Sequence, residues 1–198
     1  MKTSMAETKF SCVQGCSDCC ENREYYPSKQ FGKIGVLLLP GEVPGIEKLG
    51  KENGIDVKIL PRIAAGNDSP EKIVAYQMMG KKDDGDLCPF LDTESGARSP
   101  HGGLACRIYE NRPLACRAYP LIDNSVPAKL DEHCRFCKDF STSNASARTL
   151  LNEAKALDRI KEEVQVTDDS VRIWRYATAA GAEPDRGKMF PQGWVIEG

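Results

Sequence analysis

Cys12, Cys16, Cys19 and Cys20 fall within nine consecutive positions, the last two adjacent. Five more cysteines, Cys88, Cys106, Cys116, Cys134 and Cys137, follow a long cysteine-free stretch. This distribution constrains the fold more than any hydrophobic pattern, because thiols so crowded are usually cross-linked, metal-bound or redox-active. The opening residues, MKTSMAETKF, lack the apolar core of a secretory signal, which points to the cytoplasm. A reducing compartment disfavours disulfides, so metal binding or redox chemistry is expected for nine cysteines in 198 residues. Burial as a small apolar side chain explains a lone cysteine better than it explains this set.

Metals take thiolates, and a Cys-x2-Cys turn aims two sulfurs at one point. Cys16 with Cys19 and Cys134 with Cys137 have that spacing. Adjacent side chains diverge by about 100° on a helix and about 180° on a strand. Cys19 and Cys20 are therefore expected to serve different irons or different sites, or one to ligate while the other supports. That favours a polynuclear cluster, or two neighbouring sites, over one zinc ion. Cys12-x3-Cys16-x2-Cys19 also has the spacing of radical S-adenosylmethionine enzymes. Those enzymes need a partial (β/α) barrel, yet only one convincing strand–helix–strand unit follows. Asp18 also stands where that motif commonly carries an aromatic residue.

Arg107, Arg117 and Arg135 each follow a cysteine directly, and Lys138 follows Cys137. Cations beside sulfurs lower thiol pKa and offset thiolate charge; solvation, or pairing with Glu110 and Asp131, is the plainer account. His133 abuts Cys134 and can complete a three-cysteine zinc site, although a surface or hydrogen-bonding role is more ordinary for it and for His101. Gly102-Gly103 can bring backbone amides to a cluster's sulfurs or simply turn the chain.

The remaining sequence is that of a globular protein, 40% hydrophobic and 28% charged. Its net charge of −2 gives no reason to expect nucleic acid or an anionic membrane, and no apolar run approaches a membrane span. In the cysteine-free insert, 33–80, KIGVLLLP (33–40) reads as a buried strand and PGIEKLGKENG (44–54) as a helix. IDVKIL (55–60) alternates as a strand that ends at Pro61, and EKIVAYQMM (71–79) fits a strand better than a helix. CPFL and LACRIY pair as a hairpin across a turn-rich loop, and Arg112-Pro113 opens a short helix carrying Cys116. ASARTLLNEAKALDRIKEEV (145–164) is helical, with Leu150, Leu151, Ala154, Leu157 and Ile160 on one face. DSVRIWRYATAA (169–180) follows an acidic cap and precedes Gly181, as a second helix would. The expected fold class is α+β. It is a small irregular single domain over 1–198, organised around a cysteine-ligated metal site, with a short sheet and C-terminal helices at 145–181.

FSCVQGCSDCC, then CPFL, CRIYENRPLACRAYP and the late cysteine of DEHC together resemble the CxxCxxCC family, often called YkgJ-like. Its members are described as zinc- or iron-chelating, or as Fe–S-cluster-containing, proteins. The resemblance implies eight metal-related cysteines: Cys12, Cys16, Cys19, Cys20, Cys88, Cys106, Cys116 and Cys134. Cys137 is a ninth without a counterpart. The opening departs from the usual pattern by one inserted residue, C-x3-C in place of C-x2-C, which puts Cys12 in doubt. A similar cluster occurs in bacterial flagellin lysine methylases, an analogy that fixes no reaction.

The leading expectation is an iron–sulfur protein holding one or two [4Fe–4S] clusters, four thiolates to each. It would act in electron transfer, in cluster handling or as an accessory to another enzyme, with a protein partner in a redox or enzyme complex. No Ser/His/Asp set, phosphate-binding loop or dinucleotide fingerprint suggests another chemistry. A structural zinc module that presents a surface to a protein partner is the alternative, and a radical S-adenosylmethionine enzyme the third reading.

Overall fold

The computed structural model describes residues 14–22, 25–28, 31–81, 86–100, 102–125, 128–131, 134, 150–167, 170–178 and 193–196. Cys12, Cys137, His101, His133, Arg135 and Lys138 lie outside the described residues, as do 145–149, 169 and 179–181 of the helical region expected near the C-terminus.

Five antiparallel strands form the main sheet, in the order β11-β10-β4-β5-β3. Three of them, β3 (Val36–Leu38), β4 (Ile59–Gly66) and β5 (Lys72–Met78), come from the cysteine-free insert. The other two, β10 (Arg172–Tyr176) and β11 (Trp194–Ile196), come from the C-terminal region. Helix α2 (Val43–Glu52) connects β3 to β4, and β5 lies between those two strands, so the crossover is a split β-α-β unit. Every hydrogen-bonded strand pair among the described residues is antiparallel, unlike the parallel partial barrel of the radical S-adenosylmethionine reading.

Strand β5 reads nearly without polar interruption because it lies inside the sheet, with Val74, Ala75, Gln77 and Met78 buried. Fully buried Gln77 is satisfied by both neighbours. Its Nε2 donates to Pro61 O at 3.0 Å, and its Oε1 accepts from Gly35 N at 3.1 Å. The strand expected at 33–40 is therefore split into β2 (Gly32–Ile34) and β3. At Gly35 a Cβ would lie 2.0 Å from Met78 O, too close for any other residue without a shift. β2 pairs instead with β1 (Tyr25–Ser28).

Two further expectations are corrected. The strand placed at 55–60 starts at Ile59 and runs through Pro61 to Gly66. Pro61 is tolerated because β10 pairs with β4 only from Ile63 onward, and the register shifts between Pro61 and Ile63. The second C-terminal helix is instead strand β10. RIWRY is rich in β-branched and aromatic side chains, and fully buried Trp174 packs on Ala64 and donates Nε1 to Gly66 O at 2.8 Å.

Helix α2 lays Ile46 and Leu49 on Val36, Leu38 and Met78, forming the main core. Cys88, Phe90, Leu91 and Ile108 complete that core from the second cysteine block. The expected hairpin is present as β6 (Leu91–Asp92) and β7 (Ala105–Cys106). Helix α3 (Leu114–Ala118) starts directly after Pro113 and carries Cys116. Strands β8 (Leu121–Asp123) and β9 (Lys129–Leu130) follow it. Helix α4 (Leu151–Val164) covers α3 through Ala156, Leu157 and Ile160. Leu151, expected on that buried face, is 58% exposed, whereas Leu150 is buried just before the helix against Leu121 and Leu130.

Candidate metal centre

Close backbone contacts tie the cysteine blocks together. Cys88 N donates to Cys20 O at 2.7 Å, joining the first block to the core. Gly103 faces the backbone of Cys16, so closely that a Cβ there would stand 2.2 Å from Cys16 O. Gly102, at φ +81°, has Gln14 against it in the same way. The glycine pair thus serves as a close-packing surface for the amino-terminal segment.

Helix α1 (Asp18–Glu21) is a single turn. Ser17 O accepts from Cys20 N at 2.8 Å and Glu21 N at 3.1 Å, and the Ser17 hydroxyl bonds to the Glu21 carboxylate. Cys19 and Cys20 project from this turn with their sulfurs 4.0 Å apart. Both line one small cavity, of about 40 Å³, together with Cys88, Cys106 and Cys116. One short turn thus brings both adjacent cysteines to the same cavity. Met78, Phe90 and Ile108 supply its apolar wall, while Arg112 and Tyr119 add polar groups.

Cys88, Cys106 and Cys116 each reach the cavity for a local reason. Cys88 opens a turn in which its carbonyl accepts from Leu91 N at 3.0 Å. Cys106 ends β7 opposite Leu91, and Arg107 N donates to Phe90 O at 2.9 Å. Cys116 sits in the first turn of α3, donating its N–H to Pro113 O at 2.9 Å. Cys16 and Cys134 do not line the cavity. Buried Cys134 acts electrostatically on Tyr119, which does line it.

The thiols influence one another electrostatically. The Cys19 contact favours ionised Cys20, but the Cys88 hydrogen bond, burial and the nearby Cys88 and Cys116 sulfurs prevail and push Cys20 well above the thiol range. Burial raises Cys106, partly countered by a backbone hydrogen bond from Ile108 and by Arg112. Burial also raises Tyr119, reinforced by Asp131 and Cys134.

Among the described residues the cation lining the cysteine cavity is Arg112, and neither Arg107 nor Arg117, which follow cysteines in sequence, lines it. Arg107 pairs with Asp92 at 3.4 Å and Glu94 at 3.6 Å. Arg117 donates to the carbonyls of Arg112 at 2.8 Å and Glu110 at 2.9 Å. Arg112 lies 3.8 Å from the Tyr109 ring centroid and donates Nε to Tyr109 O at 2.9 Å. Sequence reading missed Arg112 and Tyr119 as site residues. In IYENRPLACRAY nothing marks either of them above its neighbours; the fold brings them to the sulfurs.

None of the seven described cysteines is in a disulfide. Among the described residues no three His, Cys, Asp or Glu side chains meet at ligating distances from one point. The donor set nevertheless suits a thiophilic metal. Sulfurs sharing one zinc at bonds of about 2.3 Å stand about 3.8 Å apart, close to the Cys19–Cys20 spacing. A χ1 change moves a cysteine sulfur by about 3 Å without moving backbone, enough to turn touching pairs towards a common centre.

No helix among the described residues is long and apolar enough to cross a membrane. No curated protein and no solved structure matches the chain. The sequence pattern of CxxCxxCC, described as a "Putative zinc- or iron-chelating domain", matches residues 11–138, well over half the chain. That stretch holds every residue of the cysteine cavity, and this protein belongs to the CxxCxxCC family of zinc- or iron-chelating domains.

Proposed function

We propose that the protein binds an iron–sulfur cluster of the [4Fe–4S] type, and acts in electron transfer, in cluster handling or as an accessory to another enzyme. The observation that carries this reading is the number of thiols at one cavity. Five cysteines line it, from four separate segments of the chain, and each iron of a four-iron cluster takes its own thiolate. A cluster draws four thiolates and leaves the fifth as a neighbour that tunes or replaces a ligand. Cys19, Cys20, Cys88, Cys106 and Cys116 are the residues that would hold it, and it would supply one-electron chemistry there. Arg112 would offset thiolate charge, and the Met78, Phe90 and Ile108 wall would limit water. A protein partner in a redox or enzyme complex follows from the same reading.

The 4.0 Å Cys19–Cys20 spacing favours a second reading, a structural zinc site that fixes α1 against the hairpin and α3. Anaerobic purification separates the two. Broad visible absorbance with iron and acid-labile sulfide supports the cluster; a colourless protein with stoichiometric zinc and no iron rejects it.

A further inference from the structure

We propose that an open groove beside the cysteine cavity binds a small molecule bearing an oxyanion, a phosphate or a carboxylate. The groove runs between α2 and the Arg112–Arg117 segment and encloses about 540 Å³, within the range of small-molecule sites. Four cations, Lys48, Arg112, Arg117 and Arg159, line it against two carboxylates, Glu42 and Glu52. The wall therefore carries a net +2 on a chain whose total is −2.

How these charges are engaged points to the ligand. Lys48 is 3.7 Å from Glu52, and Arg159 is 3.2 Å from Glu163. Glu42 accepts backbone N–H groups at both oxygens, from Leu39 at 2.9 Å and Leu114 at 2.8 Å, so it holds the wall together. Arg112 and Arg117 instead spend Nε on backbone carbonyls, at 2.9 Å and 2.8 Å. Those bonds orient both guanidinium groups while leaving their charge without a carboxylate within ion-pair distance among the described residues. Glu153 of α4 feels Arg112 electrostatically but does not line the groove. Two guanidinium groups so oriented on one wall, neither paired with a carboxylate among the described residues, match the forked geometry of an oxyanion.

Arg112 and Pro113 also line the cysteine cavity, so the two sites share a wall. The groove proposal does not depend on which metal the cysteines take.

Calorimetry on the full-length protein as purified, at low ionic strength, tests it with pyrophosphate and with citrate. The expected result is saturable binding of one equivalent of at least one of them, the tighter ligand identifying a phosphate or a polycarboxylate class. Arg117→Gln should weaken binding about tenfold. Lys48→Glu, on an exposed position of α2, should weaken it severalfold, while Lys72→Glu, exposed on β5 and outside the groove, should leave it unchanged. If Arg117→Gln does not fold, Lys48→Glu against Lys72→Glu decides. No saturable binding of either ligand at millimolar concentration overturns the proposal, and so does an equal response of Lys48→Glu and Lys72→Glu.

Discussion

The chemistry of single side chains at this site depends on what each sulfur touches rather than on its place in a spacing pattern. Cys116 lines the cavity, whereas Cys134 does not. Cys116→Ala is therefore expected to lose most of its bound metal, and Cys134→Ala to keep more than half. Elemental analysis of the two variants purified side by side checks this, and the reverse order would contradict the assignment of Cys116. A second residue-scale expectation concerns Asp92, which shapes the loop between β6 and β7. Its carboxylate accepts N–H groups from Glu94 and Ser95 at 3.1 and 3.0 Å, bonds the Ser95 hydroxyl and lies 3.4 Å from Arg107. The Ser95 hydroxyl foremost, then these amides and Arg107, hold the carboxyl far below the usual range. A folded carboxyl depressed in this way contributes stability above about pH 4, and that contribution fades as pH falls towards its folded value. Asp92→Asn should lower stability at about pH 7, and the difference from the parent should shrink at about pH 3, as urea denaturation at both values would record. A difference that grows on acidification would refute the account.

Elements convert these local contacts into a shared site, and the closest of them is the glycine turn. Gly103→Ala places a Cβ 2.2 Å from Cys16 O, so the amino-terminal segment or the hairpin loop must move. Overpacking of this kind costs about 1–3 kcal/mol. The variant should show that loss in denaturant unfolding together with reduced metal content, while Gly41→Ala, with open space around it, should show neither. Elements whose signal is local were legible in the sequence. Helix α2 begins beside Pro44 and ends before Gly54, α3 follows Arg112-Pro113, and the Cys88–Cys106 hairpin is marked by its turn residues. Strand β10 was not legible, because the partner that makes it a strand, Ala64 to Gly66, lies more than a hundred residues away. Its acidic approach and trailing glycine imitate helix boundaries. Trp174→Ala, which empties a fully buried position and breaks the bond to Gly66 O, should cost about 3–5 kcal/mol by the same denaturation measurement. The convergence of the two cysteine blocks was legible as composition. Arg112 as their cation was not, since its role comes from stacking on Tyr109.

At the scale of the whole molecule, the cysteine cavity lies where two bodies of packing meet. On one side the sheet and α2 form a core that closes on Val36, Leu38, Ile46 and Met78. On the other, α3 and α4 pack through Ala118, Ala156 and Ile160. Cys20, Cys88, Cys106 and Cys116 join the first core, and Cys116 rides on the helix that belongs to the second. Metal held at the cavity would therefore cross-link α1, the Cys88 turn, β7 and α3, and metal binding free energy becomes folding free energy wherever the apo site is loose. Chelation should not unfold the molecule uniformly. The sheet keeps Trp174, Val195, Ala64 and Ala75, all fully buried and remote from the sulfurs in sequence, so β4, β5 and β10 should retain slow amide exchange. Amides in α1, around Cys88 and in β7 through α3 should speed up by a factor of ten or more, about 1.4 kcal/mol of lost local stability. Hydrogen exchange followed by mass spectrometry, before and after stripping metal with chelator and reductant, measures both regions in one sample. Equal acceleration in the sheet and at the cavity would mean that one cooperative unit spans them. Unchanged exchange throughout would mean that the sulfurs support the fold as apolar side chains, without help from metal.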